Sequence, residues 1–386
     1  MATPKLRFNE FNEKWEEKKL GKICQHFKSG KSITSKYITD TGDYPVYGGN
    51  GLRGFTTNFT HDGKFILIGR QGALCGNVQL ASGKNYISEH AIAVQADQKN
   101  STDWLAYWLD NMKLNRFSES SAQPGLAVNK LIKFKIKLPT KAEQTKIATF
   151  LSAVDTKIDE LTQKHELLTD YKKGMMQQLF SQKLRFKADD GSDFEDWIKY
   201  NIGAIFTEIK DQVLDQDIET YSITAGKGFI SQAEKFGRDI SGNQNRKYIV
   251  LKPNDFSYNK GNSKTFKYGC VYLNRFNHNI AVPNVFISFR TKESNKHYSI
   301  FYAQLFESHY LDKHLRLLIS SSARMDGLLN ISKKGFFEIP IPSPCLEEQT
   351  KIANFLTAID QKIDNVAEQI DHAKTWKKGL LQQMFV

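Results

Sequence analysis

Cysteine is scarce in this chain of 386 residues: only Cys24, Cys75, Cys270 and Cys345 occur, far apart and with no Cys-x-x-Cys spacing. That pattern excludes a zinc ribbon or a disulfide framework and fits the reduced thiols of a cytosolic protein. No apolar run approaches the roughly 18 residues of a membrane span, and the opening Met-Ala-Thr-Pro-Lys-Leu-Arg-Phe lacks the apolar core of a secretion signal. A cytoplasmic location without a membrane partner is therefore expected. Catalytic signatures are missing too. There is no G-x-x-x-x-G-K-[ST] loop to cradle nucleotide phosphates, and no Asn/Asp-Pro-Pro-aromatic segment to position an amino group for methyl transfer. Glu208-Ile-Lys210 is half a metal-nuclease motif at most and reads as a solvated surface pair. His309 and His314 miss the i,i+4 spacing of a helical zinc pair. The clusters Gly48-Gly49-Asn50-Gly51 and Gly69-Arg70-Gln71-Gly72 do not form the G-x-G-x-x-G of a dinucleotide site. No residue is assigned to catalysis, cofactor binding or metal ligation.

Positive charge is plentiful. Fifty-four Lys and Arg against 42 Asp and Glu give a formal charge of +12, which favours a polyanionic partner. Aromatic residues at 12% and hydrophobic residues at 40% point to packed domains rather than a basic disordered tail. The length suits two domains of ordinary size.

The most informative presence is a repeat of about 38 residues. Glu143-Gln-Thr-Lys-Ile-Ala returns as Glu348-Gln-Thr-Lys-Ile-Ala, Lys172-Lys-Gly as Lys377-Lys-Gly, and Gln177-Gln-Leu-Phe as Gln382-Gln-Met-Phe, all at a constant offset of 205. In the first copy Ile147, Leu151, Val154, Ile158, Leu161, His165 and Leu168 follow the 4-3 spacing of a coiled-coil seam; in the second, Ile352, Leu356, Ile359, Ile363, Val366, Ile370 and Ala373 do. Charged residues fill the faces between. Each helix should bury its seam against a similar helix, and the obvious partner is the other copy. Thr140 with Glu143 reads as a capping box, Ser343-Pro344 as an N-cap with proline at the first helical position, and Gly174 and Gly379 as possible ends or bends.

The blocks preceding the two helices share a plan of short β-type runs cut by Gly, Asn and Pro. Both open with Leu-Arg-Phe (Leu6 to Phe8, Leu184 to Phe186), followed by Trp15 or Trp197 and then Leu20-Gly21 or Ile202-Gly203. Tyr44–Phe55 resembles Tyr221–Phe229, Gly63–Arg70 resembles Pro253–Lys260, and helical patches follow near Trp104–Met112 and Phe301–Ile319. The fold class expected is α/β (α+β): two tandem pseudo-symmetric domains separated by an antiparallel two-helix coiled coil. The boundaries expected are 1–142 and 181–347 for the domains and 143–180 and 348–386 for the helices. Glycine-rich turns let a backbone approach DNA closely, so Arg53, Arg70, Gln71 and Asn77 are DNA-binding candidates in the first block. In the second, Lys227, Arg246, Lys247, Asn259, Lys260, Asn262, Lys264 and Arg275 are, with the lysines suited to phosphate rather than base edges.

The paired Glu-Gln-Thr-Lys-Ile-Ala helices and the order variable, repeat, variable, repeat resemble the specificity subunit of Type I restriction-modification enzymes, over essentially the whole chain. The resemblance implies that each variable block recognises half of an asymmetric, bipartite double-stranded DNA target, with the helices setting the unread gap and docking two methyltransferase subunits. Restriction subunits would join through the methyltransferases. S-adenosylmethionine, ATP and Mg²⁺ would belong to those partner subunits, none being bound by this chain. Two other classes compete: a self-sufficient DNA-binding regulator or architectural protein, and a nuclease or methyltransferase in its own right.

Overall fold

The computed structural model describes residues 4–72, 74–118, 125–237, 242–261, 263, 265–319 and 329–385. The chain divides into two compact units, Met1–Gln163 with Ala367–Val386, and Lys164–Val366. Each unit therefore contains one α/β domain and parts of both long helices, the central helix Lys141–Phe180 and the distal helix Leu346–Met384.

In the first unit a four-stranded antiparallel sheet has the order Cys24–Ser29, Ala91–Ala96, Phe65–Gly69, Val78–Ala81. Phe65–Gly69 and Ala91–Val94 are buried throughout, as expected of strands covered on both faces. The helix Thr102–Asn111 packs on this sheet, its N-terminus capped by Ser101, whose hydroxyl accepts from the Trp104 amide. A second sheet has the order Gly51–Thr56, Tyr44–Gly48, Lys84–Ile87, His61–Asp62, and Glu16–Lys19 pairs separately with Lys135–Leu138.

The second unit repeats the plan. Phe206–Glu208, Ile287–Thr291, Phe256–Asn259 and Cys270–Leu273 form the corresponding four-stranded sheet, under the helix Ser299–Glu307. The hairpin Tyr221–Thr224 with Gly228–Ser231 corresponds to Tyr44–Gly48 with Gly51–Thr56, and Ile198–Asn201 pairs with Pro340–Ser343 as Glu16–Lys19 does with Lys135–Leu138. The weak sequence likenesses between the blocks thus mark strands at matching places in the two sheets.

Each unit pairs the two long helices antiparallel. In the first, Ile147, Leu151 and Val154 of the central helix share a core with Leu380, Leu381, Met384 and Phe385 of the distal helix. In the second, Met176, Leu179 and Phe180 of the central helix share one with Ile352, Leu356 and Ile359 of the distal helix. Burying each such side chain contributes about 1.5–3 kcal/mol. The first half of each seam thus meets the C-terminal end of the other helix, and the same cores hold Trp104 and Leu105 in the first unit and Phe301 and Leu305 in the second. Phe385 meets Trp104 at 5.7 Å between ring centroids, and Phe180 meets Phe301 at 5.9 Å. The repeated Gln-Gln-x-Phe therefore ends each helix with an aromatic plug in a domain core.

The motif Glu-Gln-Thr-Lys-Ile-Ala has an equally specific job. Arg7 donates to the Glu143 carboxylate at 2.7 and 2.8 Å, and Arg185 to Glu348 at 3.1 and 2.9 Å, with both glutamates fully buried. Gln144 accepts from the Ser101 amide and donates to the Pro139 carbonyl; Gln349 does the same with Tyr298 and Pro344. The expected capping box is therefore absent, because the Glu143 carboxylate is spent on Arg7. The distal helix begins at Leu346, past the expected cap, and the Ser343 hydroxyl pairs with the Tyr302 hydroxyl instead. Neither Gly174 nor Gly379 ends its helix.

Candidate nucleic-acid interface

The two glycine clusters of the first unit meet. A Cβ on Gly49 would lie 3.2 Å from the Gly69 Cα and 2.5 Å from the His90 carbonyl, while one on Gly69 would lie 2.7 Å from the Gly49 carbonyl. Only glycine permits this approach, and its effect is to gather the polar side chains of both turns at one end of the domain. The Arg53 stem lies over Gly48, where a Cβ would come within 2.6 Å of its Cδ. The Arg70 amide donates to the His90 carbonyl and its own carbonyl accepts from Leu126, which fixes its backbone from both sides. Arg53 and Gln71 are exposed and Arg70 and Asn77 half-buried, and none of these four side chains has a hydrogen bond or ion pair among the described residues. Nearby Gly51, with φ of 97°, sits against the Gln79 amide.

In the second unit the candidates scatter. Lys227 is exposed at a hairpin tip between Gly226 and Gly228, both with positive φ. Arg275 lies near it, and the two line a cavity of about 430 Å³ that also has Glu307, Asp360 and Asp364 in its wall. Arg246 pairs with Asp215 at 2.8 Å, and Lys247 beside it is exposed. Asn259 is a turn-builder rather than a free reader: its Nδ2 donates to the Ile223 carbonyl, and its Oδ1 accepts from the Gly261 amide. Lys260 is half-buried, and its carbonyl accepts from the Leu329 amide. Asn262 and Lys264 lie outside the described residues. Glu208 and Lys210 form the loose surface pair expected of them at 3.9 Å, and Glu208 also holds Lys333.

Burial shifts titratable groups in these turns and elsewhere: it raises the Cys75 thiol, whose Sγ donates to the Arg70 carbonyl, and the Tyr272 hydroxyl, which accepts from the Gly226 amide. His61 is driven down to about 4 by burial, with the neighbouring His26 and Lys31 adding to the effect. Its ring stands edge-on to His26 at 5.2 Å and to Phe65 at 4.9 Å. Burial raises the Cys24 thiol to about 12 and Cys270 likewise, which leaves both inert as nucleophiles at neutral pH. Among the described residues no group of three or more His, Cys, Asp or Glu side chains could share a metal ion, and no helix is long and apolar enough to cross a membrane.

The helices carry features that the seam reading did not isolate. Lys172 is almost fully buried and pairs with Asp360 at 2.7 Å, and Lys377 pairs with Asp155 at 2.5 Å. A signal existed: each lysine continues its 4-3 stripe, four residues beyond Leu168 or Ala373. Tyr171 and Trp376, counterparts in the repeat, are both about half exposed, at 51% and 54%. Three residues on, Gly174 has nothing within 4 Å of a would-be Cβ and Gly379 only the Gln383 amide at 3.9 Å. A helix-interior glycine costs about 1 kcal/mol relative to alanine, and here the chain's own packing does not call for it.

Comparison with known proteins supplies the family. The model of the Type I restriction modification DNA specificity domain matches twice, over residues 12–169 and 195–374. The chain is 40% identical over 162 residues to the EcoprrI specificity subunit of Escherichia coli, a match covering 41% of this chain and 40% of that protein. It is 26% identical over 142 residues to a putative type I restriction enzyme specificity subunit of Haemophilus influenzae, covering 36% and 37%. The matched stretches thus span less than half the length of these curated relatives. The fold is like that of a crystallised Type I restriction-modification S subunit from M. genitalium, with TM-score 0.66, 18% identity, and coverage of 100% of this chain and 99% of that one.

Proposed function

The chain belongs to the Type I restriction-modification DNA specificity family, and on that premise we propose that it is the non-catalytic subunit that chooses the DNA sequence to be modified. Each recognition domain reads one half of an asymmetric bipartite target in double-stranded DNA. The observation that carries this reading is the duplication with divergence: two units share one sheet order and one helix clamp, yet present different loops. Matched scaffolds give two readers held alike, and unlike loops give them different half-targets.

The long helices set the unread gap and dock methyltransferase subunits. In support, each unit pairs the helices antiparallel, and the exposed Tyr171 and Trp376 with their nearby open glycines offer two like seats for a partner element that comes in two copies. S-adenosylmethionine, ATP and Mg²⁺ belong to the methyltransferase and restriction subunits, the latter joining through the former.

In the first unit, Arg53, Arg70, Gln71 and Asn77 are the proposed base readers, since they share one loop cluster and their side chains have no competing partner among the described residues. Lys227 and Arg275 serve the second unit, together with Lys247 as a phosphate contact. Arg246, Asn259 and Lys260 take supporting roles, and Asn262 and Lys264 remain DNA-binding candidates by sequence. The test is domain replacement. With residues 181–347 exchanged for the corresponding block of another family member, the complex with methyltransferase subunits should methylate a target altered in one half only. An unchanged target, or one altered in both halves, would refute the assignment.

A further inference from the structure

Two ion pairs join the long helices, one built on the buried Lys172 and the other on the half-buried Lys377 and Asp155. Lys172 Nζ reaches Asp360 at 2.7 Å and Glu307 at 2.9 Å, and the other Asp360 oxygen accepts from the Gln304 amide at 2.7 Å. In the other unit Lys377 Nζ reaches Asp155 at 2.5 Å, and the second Asp155 oxygen accepts from the Tyr107 hydroxyl at 2.7 Å. The Lys377 ammonium also sits over the Tyr107 ring, 5.6 Å from its centroid. Lys172 corresponds to Lys377 and Asp155 to Asp360 at the repeat offset of 205. Each node joins three helices: the central one, the distal one, and the recognition-domain helix that supplies Tyr107 or Gln304 and Glu307.

Buried ion pairs contribute little net stability compared with well-packed apolar residues, and their best-attested role is to specify register. Heptad seams of Leu, Ile and Val are permissive, because a slip of one heptad brings like residues together again. The lysines are not permissive. Sliding by a heptad in one direction would bring Lys172 level with Ala353 and Lys377 level with Ala148, alanines that are 0% and 4% exposed. An ammonium there would be buried without a partner, and its aspartate would be orphaned as well, at heavy cost.

We propose that Lys172–Asp360 and Lys377–Asp155 are positioning pairs that set the register of the two helices and, through it, the length of unread DNA between the half-targets. This rests on the reading of the helices as the spacer. Tyr107 and Gln304 complete the nodes by tying each recognition domain to the registered pair.

The test uses the full chain in complex with methyltransferase subunits and a panel of duplexes with both half-targets fixed and the gap varied one base pair at a time. Asp155→Lys sets two ammonium groups against each other, and it should lower the preference for the native gap over its neighbours about ten-fold or more. The reversed pair Asp155→Lys/Lys377→Asp should restore that preference to within about three-fold of the parent. Leu161→Ala, a seam residue 6% exposed, should lower thermal stability and leave the gap preference alone. Methylation falling evenly at every gap in Asp155→Lys, or a reversed pair that folds without recovering the preference, would overturn the proposal. If Asp155→Lys does not fold, the reversed pair decides alone: native preference supports register control and altered preference refutes it. A parent complex with no gap preference would refute the spacer reading itself.

Discussion

Arg7 grips Glu143 through two hydrogen bonds, 2.7 and 2.8 Å long, and so pins the start of the first domain to the first turn of the central helix. The same guanidinium donates to the Glu13 carbonyl at 2.7 Å, which also fixes the approach to Trp15. Glu143 is fully buried, so the carboxylate left behind by Arg7→Met would have no partner and no water. The first unit should lose about 3–5 kcal/mol in denaturant unfolding. The double variant Arg7→Met/Glu143→Leu should lose clearly less than the single one, because it removes the orphaned charge. Equal losses would show that the clamp acts through packing alone.

Acid should weaken the first unit through His61. Its folded value of about 4 lies below the ordinary 6.5, so between those pH values the unfolded chain takes up a proton that the folded one refuses. Stability from this source is complete above about pH 6.5, falls as the pH drops toward 4, and is flat below that. Discounted for partial exposure, the loss is on the order of 1–2 kcal/mol. His61→Gln should reduce the pH slope of urea unfolding between pH 6.5 and 4.5. An unaltered slope would place the acid sensitivity elsewhere.

If Tyr171 and Trp376 anchor two like partner elements, Tyr171→Ala and Trp376→Ala should each weaken methyltransferase binding by about 30-fold, the effect of losing an interface anchor worth about 2 kcal/mol. Gly174→Leu should do the same by filling the open space above the helix, while leaving the chain folded. Titration calorimetry with purified methyltransferase subunit measures both. Normal binding by all three variants would move the docking surface off this face.

Base and phosphate contacts separate by their signatures. Arg70→Ala should relax one position of the target at a cost of about 1–3 kcal/mol. Lys227→Ala should weaken binding to all sequences alike and lower the salt slope by about one. Filter binding over a salt series, on matched and singly altered targets, tells them apart.

Much of the architecture was legible because the scaffold repeats. The two long helices, the short strands cut by turn residues at Tyr44–Phe55 and Tyr221–Phe229, and the helix positions near Trp104 and Phe301 follow from periodicity and turn residues, which are local properties. What escaped was long-range. Glu143 looks like a local cap until Arg7, far away in sequence, is placed against it. Lys172 and Lys377 continue the stripes in sequence, but the carboxylates they meet, Asp360 and Asp155, lie on the other helix and cannot be read locally. The candidate site divides in the same way: glycines mark the first unit's turns in the sequence, whereas the bond from Asn259 to the Ile223 carbonyl exists only in the folded unit.

The most direct measurement is methylated-base sequencing of a random DNA library treated with the purified chain and its methyltransferase subunits. The account predicts one target of two unlike half-sequences separated by a fixed number of unread bases. A continuous motif, two identical halves, or methylation without sequence preference would contradict it.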